Sequence, residues 1–450
     1  VTGEGFNYPP KRYFAIHFIL LRFLGLGWWH HPDEGNMSNF PGYYVYYAII
    51  TEVIWVFGFV GLESIDPFIG EKDLDRFMFS LSFVITHDLT LIKLYIFFFK
   101  NRDIQEIVHT LEIDMHKFYQ NNAKNRRMIK ITRIMTASFV FFGWMTIGNV
   151  NVYGIFQDIR WKAEIAKLNG TTEKPFRTLP QPIYIPWRYQ TDTSFVLTFL
   201  LETVGLLWTG HIVMTIDTFI GSLILHMSSQ FEILQEAFIT AYDRTMTELS
   251  DGLTQRDSLD NIFPDSSDEG DVDFYGYNER YVRKYCTTEE MESALENTLR
   301  NCFLQHQLLV SCVEKFKKTY TYGFMTQLLS SSAAICVVMV QLSKDASSLK
   351  SIRIVTSLAF FFAMVIQLAI QCFSGNALTD QASKVSEAIM QSKWERMPPR
   401  LRRQLVLAMM RAQRPLHLTA AGFATMNNDC FLAIMKAAYS YYAVLSQKQV

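Results

Sequence analysis

Apolar residues in this chain gather into seven blocks, 43–62, 77–99, 134–156, 195–225, 319–342, 354–374 and 425–446, separated by charged stretches. Each block is about 20 residues or longer, the length that crosses a ~30 Å hydrocarbon core at ~1.5 Å per residue. The pattern predicts seven transmembrane helices. The fourth block exceeds what a bilayer needs, so its helix should project beyond the membrane. A shorter apolar stretch, 14–26, carries His17 and Arg22 and lacks a small-residue cleavage site. Followed by Trp28 and Trp29, it reads as a helix lying on the membrane surface rather than as a signal peptide.

The charges between the blocks orient the bundle, because cytoplasmic loops collect Lys and Arg. Lys11, Arg12 and Arg22 precede the first block, and Lys100, Arg102, Lys117, Lys124, Arg126, Arg127, Lys130 and Arg133 follow the second. Lys384, Lys393, Arg396, Arg400, Arg402 and Arg403 follow the sixth, on the same side. On the opposite side Lys72 and Arg76 are outnumbered by Glu63, Asp66, Glu71, Asp73 and Asp75, and the last loop there holds Lys344, Lys350 and Arg353. The N-terminus is therefore expected in the cytoplasm and the C-terminus outside. Asn169-Gly170-Thr171 then lies outside, which makes Asn169 a glycosylation candidate, whereas Asn36-Met37-Ser38 lies inside. None of the six cysteines falls in an outside loop, so no extracellular disulfide is expected.

Composition narrows the classes further. With 49% hydrophobic residues, 36 Phe and 21 Tyr, the chain suits lipid; a net charge of −1 argues against a nucleic-acid partner. The orientation is the reverse of a G-protein-coupled receptor. Ile155-Phe156-Gln157 stands where the acidic-Arg-Tyr triplet of that class would follow span three, and no Asn-Pro-x-x-Tyr closes span seven. Internal repeats and Gly/Pro-broken mid-span helices, the marks of a secondary transporter, are not evident.

Nothing in the sequence points to an enzyme, a cofactor or a metal. His109, Glu112 and His116 have metal-like spacing but lie in a charged segment, where a solvated amphipathic helix is the expectation. The run PDSSDEGDVD at 264–273 begins like a calcium loop, yet Gly276 occupies the position of the bidentate Glu. Acidic and containing Ser and Gly, it is expected to form a disordered cytoplasmic insertion near 250–285.

The last block is the most polar. Asp429, Ala433, Lys436, Ser440, Val444 and Gln447 fall near one face of a helix. Facing lipid, that stripe would cost several kcal/mol. It either packs as a polar seam against neighbouring helices or lines a water-filled path narrowed by Val444, where a ring of apolar side chains can gate by dewetting. The residues alone leave both readings open.

Across 372–445 the chain resembles the C-terminal region of insect odorant receptors. The matching segments, in order, are FSGNALTDQASKVSEAI, SKWERMPPRLRRQLVLAMMRAQRPLHLTAAGF and IMKAAYSYYAVL. The resemblance implies an all-α membrane protein, a seven-transmembrane helical bundle of inverted topology that is one subunit of a tetrameric, non-selective cation channel. It implies an odour-tuned subunit that binds a small volatile odorant and assembles with a shared co-receptor in the plasma membrane of olfactory neuron dendrites. A gustatory-receptor-like or self-sufficient homotetrameric channel is the alternative within that class, and a metabotropic seven-span receptor the alternative outside it. The resemblance also implies a pore lined by the last span, with Val444 at the hydrophobic gate and Ser440 and Gln447 facing the path. Lys448 stands where the co-receptor has a second gate leucine.

The organisation that follows is a cytoplasmic N-terminus with a surface helix (1–42), spans one to four as the ligand bundle (43–225) and a cytoplasmic loop (226–318). Spans five and six (319–374), an anchor and assembly region (375–424) and the pore helix (425–450) complete it. Segments 371–379 and 400–415 are candidates for contacts between subunits. By depth and helical spacing the pocket candidates are Phe83, His87, Gly143, Ile147, Phe199, Thr203, Thr356 and Phe360, an apolar and aromatic set suited to a small volatile ligand. His87, Asp88, Lys93, Glu202, His211 and Asp217 are ionisable groups within spans, and pairing with one another or with water is the expectation for them.

Overall fold

The structure, a computed structural model, describes residues 13–26, 42–69, 74–167, 177–259, 274–347 and 351–447. Among them the chain is helical apart from loops and one short hairpin. In order come α1 (Ala15–Phe23), α2 (Gly42–Thr51) and α3 (Gly61–Ile69), the last two joined by a π-helical stretch, Glu52–Val60. Next are α4 (Leu74–Phe99), α5 (Asn101–Glu112), α6 (Asn122–Lys167) and α7 (Asp192–Ile239). They are followed by α8 (Ala241–Leu259), α9 (Phe274–Tyr285), α10 (Thr288–Ser347), α11 (Ser351–Gln391), α12 (Pro399–Ala412) and α13 (Asn428–Gln447).

Six of these stretches are long and apolar enough to cross a membrane: Tyr43–Ile69, Arg76–Phe99, Asn122–Lys167, Asp192–Ile239, Thr288–Ser343 and Ile354–Gln391. The seventh predicted block forms α13, which spans 20 residues but is less apolar because of its polar stripe. Span one runs seven residues beyond the block's end at 62, through Pro67 to Ile69. Glu63 and Asp66, counted as loop charges by their polarity, are instead buried inside that helix.

Local chemistry starts several of these helices. The Thr191 hydroxyl accepts from the backbone N–H of Ser194 to cap α7, and the Asn427 side chain accepts from Cys430 N–H to cap α13. Thr287 and Glu290 form a reciprocal capping box at the start of α10, with bonds of 3.3 and 3.0 Å. The helices α7, α10 and α11 run well past the membrane length, as expected for the fourth span, and their extensions pack with α5, α8 and α12, with α9 lying on α8. α13 packs on α10 and α11.

The hairpin between α12 and α13 pairs Thr419 with Thr425 and Ala420 with Ala424. Its turn places Ala421 at φ 49° and Gly422 at φ 80°, with Phe423 N–H donating to Ala420 O at 3.0 Å. Two successive positive φ values define a type I′ turn, which glycine tolerates and alanine does not favour. Ala421 N–H is held by the Thr321 hydroxyl of α10 at 3.0 Å, which ties the turn to the bundle.

The structure bears on three surface expectations. α1 does expose Ile16, Ile19 and Phe23, but its other face is docked: Phe14 lies 5.7 Å from the ring of Phe219, and the His17 ring 5.8 Å from it. The region expected to be disordered is helical up to Leu259 and again from Phe274. These two helices, α8 and α9, pack on each other, with Tyr242 donating to Glu279 at 3.1 Å and Asn278 to Thr247 at 3.4 Å. Burial opposes the charge on Glu279, yet hydrogen bonds from Tyr242 and Arg283 and the nearby Arg396 guanidinium hold its carboxyl below the usual range. Segment 264–273 lies outside the described residues. Finally, 371–379 is mostly buried within the subunit, leaving Phe373 exposed, whereas α12 exposes Val406, Leu407 and Met410.

Candidate functional site

The helices place the eight pocket candidates in two groups. The first joins α4 to α11. The rings of Phe83 and Phe360 lie 5.2 Å apart, His87 sits 6.1 Å from Phe83, and Thr356 is buried one turn before Phe360. The second joins α6 to α7. Thr203 donates to Asn151 at 2.7 Å and Phe199 lies 6.2 Å from Phe195. Ile147 is buried and lies against Gly210. A Cβ on Gly143 would stand 2.3 Å from Met214 Sδ, so Gly143 is the seat of the Met214 side chain. A tilted ring contact between Phe142 and Phe362, 6.1 Å apart, bridges α6 and α11.

The ionisable groups singled out within the spans have partners. His87 Nδ1 lies 2.6 Å from Glu63 Oε2, and Ser64 donates to Asp88 at 2.9 Å. Trp144 donates to His211 Nε2 at 3.0 Å, which leaves Nδ1–H to donate to Leu207 O at 2.6 Å. Lys93 of α4 donates to Asp217 of α7, which also accepts from Gln367 and Gln371 of α11. Pairing across helices removes the cost of leaving a charge alone in a medium without water.

A feature that spacing did not disclose closes one end of these helices. The loop 177–190 folds inward: Gln181 N–H donates to Glu202 at 2.6 Å and its side-chain amide donates to Glu63. Tyr184 N–H donates to Leu62 O at 3.3 Å. Arg177 is 1% exposed, stacked over Phe195 and Trp161 at 3.8 and 4.5 Å, with Asp158 and Asp192 as its carboxylate partners. The only sequence signal was an Arg among aromatics with acids nearby, and its partners come from distant positions.

The polar stripe of α13 is free. Asp429, Ala433, Lys436, Ser440 and Val444 are all exposed, Val444 at 55%. The opposite face, with Phe431, Ile434, Met435 and Ala438, packs against the core. Ser440 donates to Lys436 O at 2.9 Å, satisfying its hydroxyl along the helix. Gln447 is the last residue of α13; Lys448 and Asn169 lie outside the described residues. The metal-like trio is dispersed: His109 lies 3.2 Å from Asp114, Glu112 accepts from Phe14 N–H, and Tyr13 Oη lies 3.4 Å from His116. No group of three or more His, Cys, Asp or Glu is placed to hold a metal among the described residues.

A family model described as 7tm Odorant receptor matches residues 73–439. The chain is 22% identical over 366 residues to odorant receptor 22c of Drosophila melanogaster, covering 80% of this chain and 79% of that one. It is 21% identical over 458 residues to odorant receptor Or1 of Anopheles gambiae, covering 98% and 97%. Its fold is similar to that of the olfactory receptor OR5 of Machilis hrabei, solved in complex with eugenol. The TM-score is 0.71 at 14% identity, over 97% of this chain and 100% of that one. For a second structure of OR5 the TM-score is 0.69, again at 14% identity and over 97% of this chain.

Proposed function

The chain belongs to the seven-span odorant receptor family, a family of multi-pass membrane receptors rather than of enzymes, and we propose that it is an odour-tuned subunit of a ligand-gated cation channel. In this reading the N-terminus is cytoplasmic, and a small volatile ligand binds among α4, α6, α7 and α11. The chain assembles with an insect odorant co-receptor around a central pore in the plasma membrane, at olfactory dendrites.

One observation carries the channel part of this reading. A helix that must sit in or beside a membrane presents Asp429, Lys436 and Ser440 on a face that its own subunit leaves bare. Charged groups at that depth require protein or water opposite them. Four such helices around an axis supply the water, and Val444 near their outer end supplies an apolar constriction. The exposed apolar side chains of α12, Val406, Leu407 and Met410, suit contacts between subunits on the cytoplasmic side. Phe83, Phe360 and Thr356 supply an apolar, aromatic surface with one polar group, as a volatile ligand requires. Binding opens the pore to the extent that the ligand prefers the open arrangement of these helices.

The test is whole-cell recording from cells expressing the chain with and without an insect co-receptor, across a panel of volatiles, with G-protein signalling blocked. Current in the pair alone establishes a tuning subunit. Current from this chain alone would replace it with a self-sufficient channel, and silence in both despite surface expression would remove the channel reading.

A further inference from the structure

Four membrane helices meet at a polar node deep in the bundle. Its centre is the bond between Lys93 and Asp217, reinforced by Gln367 and Gln371. Beside it Lys93, Ile96, Ile220, Tyr320, Gly323, Phe324 and Gln371 enclose a cavity of about 10 Å³. That is the scale of a single water molecule and too small for anything larger.

A cavity of this size lined only by carbon stays dry. This one is not. Two atoms of its lining residues are buried without a hydrogen-bond partner, Tyr320 Oη and Gln371 Oε1. Tyr320 is 2% exposed and Gln371 1%. The Lys93 ammonium adds a donor, because it carries three N–H groups and its bond to Asp217 uses one.

We propose that the cavity is a binding site for one ordered water. The water accepts from Lys93 Nζ, donates to Gln371 Oε1 and shares its remaining hydrogen bond with Tyr320 Oη. That satisfies both orphaned atoms and gives the water three partners, the usual number for a buried site. Charge excludes ions. A cation would sit against the Lys93 ammonium, and an anion would find that ammonium already matched by Asp217.

The water has a structural consequence. It connects α10 to the ion pair of α4 and α7 and to the α11 glutamine beside it. The next residue, Thr321, holds Ala421 N–H and so positions the hairpin that leads into α13. Hydration at Tyr320 thus lies one residue from the contact that supports the last helix.

The site rests on the cavity and its lining, independently of any channel activity. A map of the full chain in lipid nanodiscs that resolves ordered water should show one peak within hydrogen-bonding distance of Tyr320 Oη and Gln371 Oε1. Melting midpoints of the same preparations give a second readout. Tyr320→Phe and Gln371→Met should each lower the midpoint, and together by less than the sum, because one water serves both groups. An empty cavity, or losses that simply add, would overturn the proposal.

Discussion

Gly375 of α11 lies directly against the backbone of Met426, so close that a Cβ at Gly375 would stand 2.4 Å from the Met426 carbonyl oxygen. Met426 is the residue that leads from the hairpin into α13, and its own N–H donates to Leu418 O at 2.8 Å. The base of the last helix is thus pinned to α11 by backbone contact, with no side chain able to yield.

Gly375→Ala should therefore force α11 and the α13 base apart, at a cost of about 1–3 kcal/mol, the range for inserting a methyl into a packed site. Gly143→Ala meets only the end of the flexible Met214 side chain and should cost less. Thermal melting of the two variants in the same detergent checks the order; equal losses would show that the junction at Met426 is not tight.

Asp217→Asn should be among the most damaging single changes. It removes the countercharge of a Lys93 side chain that is 4% exposed, and breaking a buried pair typically costs about 3–5 kcal/mol. Lys93→Met combined with Asp217→Leu should recover much of that loss. Surface expression and melting midpoint of the single and double variants decide the matter, and a double variant worse than Asp217→Asn would contradict it.

The helices themselves were legible in the sequence because a membrane imposes length and apolarity on each span. The end of span one was not. Glu63 and Asp66 look like loop charges until their partners are known, and those partners, His87, Gln181 and Arg76, come from elsewhere in the chain. α8 and α9 escaped notice for the same reason: each is polar alone and is stabilised by the other. Depth and spacing did bring Phe83 to Phe360, since both lie on apolar helical faces at matching heights. They could not show that Gly143 seats Met214, because a close contact depends on the angle at which two helices cross.

Phe360→Leu should lower the potency of an activating volatile about tenfold, equivalent to roughly 1.4 kcal/mol, by removing the ring 5.2 Å from Phe83. Concentration–response curves in cells with the co-receptor measure this. Unchanged potency for every active volatile, at normal surface expression, would move the pocket away from the α4–α11 contact.

Val444→Ala should raise the current measured without ligand, since a smaller side chain widens an apolar constriction and admits water more readily. The baseline current per surface-expressed receptor is the readout. A baseline equal to that of the parent would count against Val444 facing the ion path.

The most direct test of the free polar face of α13 is chemical. Ser440→Cys, co-expressed with the co-receptor, should lose ligand-evoked current when a charged thiol reagent is applied from outside during opening, while Ala438→Cys on the packed face, 0% exposed, should be insensitive. Persistence of full current from Ser440→Cys after labelling is verified by mass would contradict a pore lined by this helix.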